Sequence, residues 1–209
     1  MFAGEDFETV YNGISTEVFY PASDEEKERV RRKYGISPDK KIVLSVTPLF
    51  SDPNKGGAVF TELAERLGDG YEPVIVGKGT DAAGAVRHIE YVDDQRELAA
   101  LYSLADVFVI PSLTDNYPTV CLEANCCGTP VVGFLTGGVP ETIGEGLGEA
   151  VPCGDVCALT EAAVKWADKK RIIPSALFAE RRRFNGRERM VDDYLKVYTD
   201  MMKTEGTGK

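Results

Sequence analysis

Between residues 41 and 151 the chain alternates short, uniformly apolar runs with stretches of helical periodicity, and few folds accommodate that alternation. The runs "KIVLSVT" (41–47), "EPVIVG" (72–77), "RHIEYV" (87–92), "DVFVIP" (106–111), "PVVGF" (130–134) and "GEAVP" (148–152) read as strands. Segments 55–68, 94–105, 118 onward and 138–145 read as the helices between them. Strands that are apolar on both sides must be covered on both faces, which is the condition of a parallel sheet wrapped by crossover helices. The expected fold class is therefore α/β, a doubly wound, Rossmann-like parallel sheet of about six strands with extra C-terminal helices. Ligands of such sheets bind beyond the carboxyl ends of the strands, where strand order reverses. That singles out the loops at 48–56, 77–81, 92–94, 111–118 and 134–140.

The flanks differ from this middle. Residues 1–23 are turn-rich and extended, with Asn12-Gly13 as the strongest turn signal, and read as a linker. Residues 24–34, "DEEKERVRRKY", form a charged helix whose Glu and Arg side chains pair at helical spacing, closed by Gly35 and Pro38. Residues 155–202 read as helical throughout, starting from Asp155 as an N-cap. The expected division is a linker at 1–23, a nucleotide-binding domain at 24–185, a separate helix at 186–203 and a disordered tail at 204–209.

Bulk properties exclude some functions. The 209 residues, 43% hydrophobic and 28% charged, suffice for one sizeable core. A formal net charge of −10 opposes nucleic-acid binding, which needs a basic face. No run of about 18 apolar residues is present, as a membrane span requires. The N-terminus lacks a signal-peptide pattern, so a cytoplasmic location is expected. Five cysteines, two adjacent, fit a reducing compartment. Cys153 and Cys157 have C-x3-C spacing, but packed apolar thiols are the stronger reading for all five, and no metal site is expected.

The stretch "PSLTDNYPTVCLEANCCGTPVV" (111–132) holds two carboxylates, Asp115 at a turn and Glu123 within an otherwise apolar run. Pro118 suits the first position of a helix, whose free N–H groups at 119–121 would lie just past a strand end and form an anion site. Thr119 and Glu123 share a face. A phosphate at the helix start would place an attached ribose beside Glu123, about 7 Å along the axis. The competing reading is a structural ion pair, because an unpaired buried carboxylate is too costly to be accidental. Asp115 alone would be a turn residue.

Asp115-x7-Glu123, followed by "ANCCGTPVVGFLTGGVPETI", resembles the E-x7-E, G-T-P-V-V and G-G-x-P-E series of the carboxyl-terminal domain of retaining GT-B glycosyltransferases of family 4. "LAALYSLADVFVIPS" and "NGISTEVFYP" extend the resemblance over nearly the whole chain. It implies one half of a GT-B fold that binds the donor, a UDP-, GDP- or ADP-sugar, without a metal or other cofactor. It further implies roles in polysaccharide or glycoconjugate synthesis. Asp115 would lie at the donor sugar and Lys55, in "NKGG", at the phosphates, as the catalytic pair. Glu123 would hold the ribose. Backbone groups of Asn116, Tyr117, Pro118, Thr119 and Val120 would cradle the diphosphate, with Gly56 and Lys78 beside it. Base selection would fall near Tyr91–Asp93.

Two departures from the pattern matter. The first acid is Asp rather than Glu, and no Arg precedes Lys55 in "VTPLFSDPNKGG". Lys55 and Lys78 also admit a plain solvated reading, Lys78 more so than Lys55. The resemblance implies a missing acceptor-binding N-terminal domain, an inactive fragment, and a final helix whose Met190, Tyr194, Val197 and Met201 are exposed or paired in a dimer. The cluster Arg181, Arg182, Arg183, Arg187 and Arg189 reads as a solvated face, with peripheral contact to anionic lipid as the alternative. Two other classes remain at this point: a nucleotide-sugar epimerase-like half domain and a non-catalytic binding module.

Overall fold

The computed structural model describes residues 8–79, 84 and 86–206, leaving aside the side chains of Arg171 and of 204–206. Residues 1–7 of the expected linker, part of the 77–81 loop and 207–209 of the expected tail lie outside this range. The elements run α1 (Asp24–Tyr34), β1 (Lys41–Leu49), α2 (Gly57–Arg66), β2 (Tyr71–Lys78), β3 (Arg87–Ile89), α3 (Gln95–Leu104) and β4 (Val107–Ile110). They continue with α4 (Thr119–Cys126), β5 (Val131–Phe134), α5 (Val139–Thr142), β6 (Gly148–Val151), α6 (Val156–Lys169), α7 (Ser175–Asn185) and α8 (Arg187–Gly206).

All six strands are parallel, in the order β3-β2-β1-β4-β5-β6. This is the doubly wound Rossmann-like arrangement, and strand order reverses between β1 and β4. Alternate residues of each strand feed opposite faces. Ile42, Leu44, Val74, Val76, Phe108 and Ile110 pack beneath α1, α3 and α4. Val43, Ile75, Val107, Val109, Val132 and Phe134 pack beneath α2 and α6. Both layers are shielded from water, which is why the strands read as apolar runs rather than as alternation.

Several boundaries differ from expectation. Helix α2 starts at Gly57 rather than 55, because a 3-10 turn at Pro53–Lys55 precedes it and Gly56 adopts φ +71°. Lys55 therefore sits on a turn. The helices expected over 155–202 are α6, α7 and α8; a 3-10 turn at Lys170–Ile172 and extended residues Ile173 and Pro174 separate the first two. Gly186, extended at φ −66°, ψ 142°, separates α7 from α8. Helix α8 continues to Gly206, past the expected end at 203.

Residues 14–22 join the body of the domain. Ile14 donates to Asn185 O at 2.8 Å and accepts from Arg187 N at 2.9 Å, while Phe19 and Ala22 are buried. Helix α1 has a capping box, with Ser23 and Glu26 each accepting from the other's backbone N–H, and ends at left-handed Gly35. The pairs Lys27–Asp24 and Arg31–Glu28 lie on its surface.

The thiols divide into two groups. Cys121, Cys126 and Cys127 are buried as expected, but Cys153 and Cys157 are exposed. The reading of all five as packed apolar groups is corrected for these two, which flank the solvent-facing start of α6. Among the described residues no group of three or more His, Cys, Asp or Glu is arranged to hold a metal, and no helix is long and apolar enough to cross a membrane.

Candidate functional site

At the reversal between β1 and β4 lies a crevice of about 290 Å³, close to the small end of ligand pockets. Its walls are the end of β1 (Val46, Thr47, Pro48), the end of β4 with its exit (Ile110, Pro111, Ser112), Lys55, Asp115 and the start of α4 (Tyr117 to Val120). Larger cavities exist elsewhere. One of about 560 Å³ lies beside α7, lined by Cys126, Cys127, Lys27 and Lys170 among others. There Lys27 is paired with Asp24, and Lys170 donates to Ser103 O and Ala105 O just ahead of β4. The carboxyl-end crevice lies at the strand-order reversal and combines a helix mouth, a cation and an acid.

The local sequence fixes each wall. Asp52 accepts from Asn54 N at 2.9 Å and begins the turn that presents Lys55. Gly56 follows in the left-handed region, where a side chain is strained, and a Cβ there would stand 2.0 Å from Pro111 O. The turn carrying Lys55 is thereby pressed against the exit of β4. Leu113 N donates to Asn54 O at 2.8 Å and joins the two loops.

The loop bearing Asp115 is braced from the other side. Thr136 Oγ1 donates to Leu113 O at 2.8 Å and Gly138 N donates to Asp115 O at 3.0 Å. A Cβ on Gly137 would stand 1.9 Å from Asp115 O, and one on Gly138 1.8 Å from Asn116 O. The paired glycines of "TGGVPE" thus let one backbone lie directly on the other.

Across the crevice, Lys55 Nζ and Asp115 Oδ2 form an ion pair at 2.9 Å, with both side chains partly covered. Pro118 is buried and extended (φ −69°, ψ 114°) and occupies the N-cap rather than the first helical position expected of it, so α4 begins one residue later, at Thr119. It offers no side-chain cap, and Cys121 N turns back to Pro118 O at 3.2 Å. The N–H groups of Thr119 and Val120 have no acceptor among the described residues, so they and the helix dipole face the crevice. The expected three free N–H groups are reduced to these two. Tyr117 is half-buried, and its ring stacks on Tyr11 with centroids 5.3 Å apart. Burial pushes its hydroxyl above the ordinary tyrosine value.

Glu123 lies one turn below Thr119 and outside the crevice lining. It is half-buried, and Tyr102 donates its O–H to Glu123 Oε2 at 2.9 Å. No cation pairs with Glu123 among the described residues, so the structural ion pair is not what holds it. Burial pushes the carboxyl up from its usual range, and the bond from Tyr102 pulls it back.

Of the residues singled out from sequence, Lys55, Asp115, Tyr117, Pro118, Thr119 and Val120 line the crevice. Gly56 supports it from behind, and Asn116 is exposed at its rim, contributing its carbonyl to the glycine brace. Lys78 is not brought in. It is exposed at the end of β2, with its ammonium 4.5 Å from the Tyr91 ring centroid. His88, the one histidine of the chain, sits on edge strand β3 with Nε2 2.6 Å from Gly77 O, outside the crevice. Sequence reasoning missed Tyr102, Thr47 and Ser112. The first falls in the helical segment 94–105, where the apolar spacing of Leu98, Leu101 and Tyr102 reads as core.

Comparison with known proteins adds a family. The family model described as glycosyl transferases group 1 matches residues 26–188. N-acetyl-alpha-D-glucosaminyl L-malate synthase of Bacillus anthracis is 25% identical over 226 residues, covering 98% of this chain and 56% of that protein. D-inositol 3-phosphate glycosyltransferase of Corynebacterium aurimucosum is 30% identical over 152 residues, 64% of this chain and 36% of its own length. The chain thus spans roughly a third to just over half of these relatives. Among solved structures, sucrose-phosphate synthase from Thermosynechococcus elongatus superposes with a TM-score of 0.76 at 24% identity, over 93% of this chain and 52% of that one. Anabaena Alr3699/HepE in complex with UDP gives 0.76 at 15% identity, over 94% and 57%.

Proposed function

The chain belongs to the glycosyl transferases group 1 family, and from that premise we propose that it is the donor-binding, carboxyl-terminal domain of a retaining GT-B enzyme of family 4. In this reading the enzyme moves a sugar from a nucleotide-diphosphate sugar to an acceptor in polysaccharide or glycoconjugate synthesis. The observation that carries the proposal is the crevice at the β1/β4 reversal, where the Lys55 ammonium and the mouth of α4 converge. HepE, a structural neighbour, was solved with UDP and with UDP-glucose.

The roles follow from charge and position. Breaking the anomeric C–O bond releases a diphosphate, whose developing negative charge needs donors fixed in advance. Lys55 and the N–H groups of Thr119 and Val120 supply them without a metal ion. A diphosphate at the helix mouth displaces Asp115 from Lys55, leaving its carboxylate to accept from donor-sugar hydroxyls. Glu123, a turn further down, accepts from the ribose. The transferred sugar leaves with its anomeric carbon bonded to the acceptor oxygen, and the acceptor proton passes to the departing diphosphate.

The acceptor binds to a second domain of a longer, cytoplasmic protein, packed on the face of α8 where Tyr194, Leu195, Tyr198 and Met201 are exposed. This domain alone binds nucleotide without transferring sugar. Calorimetric titration with UDP, GDP and ADP tests the reading. Selective binding of one nucleotide, weakened by both Lys55→Ala and Glu123→Ala, is expected. Failure of all three to bind, or indifference to both substitutions, overturns it.

A further inference from the structure

Tyr102 lies on α3, an element that contributes nothing to the crevice lining, yet its hydroxyl is the sole described partner of the Glu123 carboxylate. The tyrosine is fully buried. Its ring is wedged edge-on between Phe19 and Phe108, with centroids 6.3 and 5.5 Å away. Its backbone carbonyl accepts from Thr129 Oγ1 at 2.5 Å. Ring, backbone and hydroxyl are thus held by four separate parts of the chain before any ligand arrives. A fully buried hydroxyl needs a partner, and Phe would fill the same space without that demand. The hydroxyl engages one carboxylate oxygen, Oε2. That leaves Oε1 to accept from a ligand.

We propose that Tyr102 is a positioning residue for nucleotide recognition: its buried hydroxyl orients the Glu123 carboxylate so that the free oxygen meets a ribose diol. The inference rests on the ribose contact assigned to Glu123 above. A carboxylate held this way discriminates ribose from 2′-deoxyribose, because an analogue lacking the hydroxyl leaves a half-buried acceptor unpaired. The same bond opposes the upward push that burial gives the carboxyl. The other titratable groups near Glu123 are the thiols of Cys121, Cys126 and Cys127 on α4 and its cap. Burial pushes the first two up to about 12 and the third higher still. They stay neutral through the working range, leaving the tyrosine as the group that opposes the effect of burial on Glu123.

The test compares the wild-type chain, Tyr102→Phe and Glu123→Gln. Each is titrated with UDP, GDP and ADP and with their 2′-deoxy counterparts, between pH 5 and pH 8. Thermal melting confirms that each variant folds; Phe keeps the ring and its packing. Tyr102→Phe is expected to weaken the best-bound ribonucleotide about tenfold, the scale of one hydrogen bond to a charged group. It is also expected to collapse the ribose preference. The fall in affinity on acidification moves to higher pH, since the lost bond lets burial raise the carboxyl further. A merely structural tyrosine would change neither the ribose preference nor the pH profile. If Glu123→Gln weakens binding while Tyr102→Phe matches wild type in all three respects, the positioning role is overturned and the ribose contact stands. If Glu123→Gln binds ribo- and deoxyribonucleotides as wild type does, the ribose contact itself fails and this inference with it.

Discussion

Lys55 and Asp115 face each other across the crevice mouth, and the electrostatics of the site turn on that pair. Exposed or partly covered ion pairs contribute at most about 1 kcal/mol to stability. Lys55→Ala should therefore leave the melting temperature close to wild type while weakening nucleoside-diphosphate binding at least about tenfold, measurable by calorimetry on the same preparation. Asp115→Ala should do the opposite at the level of the free chain: it frees the ammonium, so pyrophosphate alone binds more tightly. The glycine brace behind Asp115 tolerates no such change. Gly137 combines φ +48° with a would-be Cβ 1.9 Å from Asp115 O, so Gly137→Ala should cost about 2 kcal/mol or more and displace the Asp115 loop. Gly68→Ala, which meets nothing within 4 Å, serves as the control in the same denaturation series.

At the level of elements, caps and burial set the behaviour. Glu26 closes the capping box of α1 and also meets Arg96. The Ser23 backbone hydrogen bond, then Arg96 and the Ser23 hydroxyl, lower its carboxyl from 4.5 to about 2. A carboxyl whose folded value is depressed stabilises the fold above its unfolded value and ceases to do so as pH falls through the folded one. The contribution of the α1 cap should accordingly be complete above pH 4.5 and vanish toward pH 2. Glu26→Gln should flatten that part of the stability–pH curve. The thiols separate by environment in the same way. Cys153 and Cys157 are exposed, whereas burial pushes Cys121 and Cys126 up to about 12. A thiol reagent at neutral pH should modify two cysteines in the folded chain and the remaining three only after unfolding. Sequence alone could not make this division, since small thiols suit both a core and a helix start.

On the scale of the whole molecule, α8 stands apart. Its first turn is tied down: Arg189 donates to Tyr11 O at 3.1 Å, and Gly13 N approaches Met190 Sδ at 3.2 Å. Beyond that, Val191, Tyr194, Leu195, Tyr198, Met201 and Met202 are exposed at helical spacing along one face. Of the four residues expected there, Tyr194 and Met201 are on that face, while Met190 and Val197 are half-buried. Helical periodicity located the apolar residues, but the exposed side depended on where Tyr11–Ile14 docks, a contact some 177 residues away in sequence. Replacing Leu195 and Tyr198 by Glu should leave the melting of this chain nearly unchanged, because surface substitutions cost within about 0.5 kcal/mol. The same double substitution should lower the melting temperature of the longer protein by loosening the proposed second domain.

The sheet was legible because strands buried on both faces announce themselves as apolar runs. The helix mouth was legible because Asp115, Pro118 and Glu123 sit at telling intervals. Its surroundings were not, for they depend on contacts remote in sequence: Gly137 on Asp115, Asn54 on Leu113, Tyr102 on Glu123.

The reversal between β1 and β4 has a mechanical consequence. One half of the sheet winds outward from β1 and the other from β4, and the two halves share a short strand pairing at Val43–Val107 and Leu44–Phe108, with backbone bonds from Asp106 N to Ile42 O and from Leu113 N to Asn54 O beside it. A nucleotide gripping Lys55 on one side and Thr119 on the other would act as a staple across that seam. Amide protons of residues 50–57 and 112–120 should slow their exchange with solvent together, in a single step as the nucleotide is added, because neither half can clasp it alone.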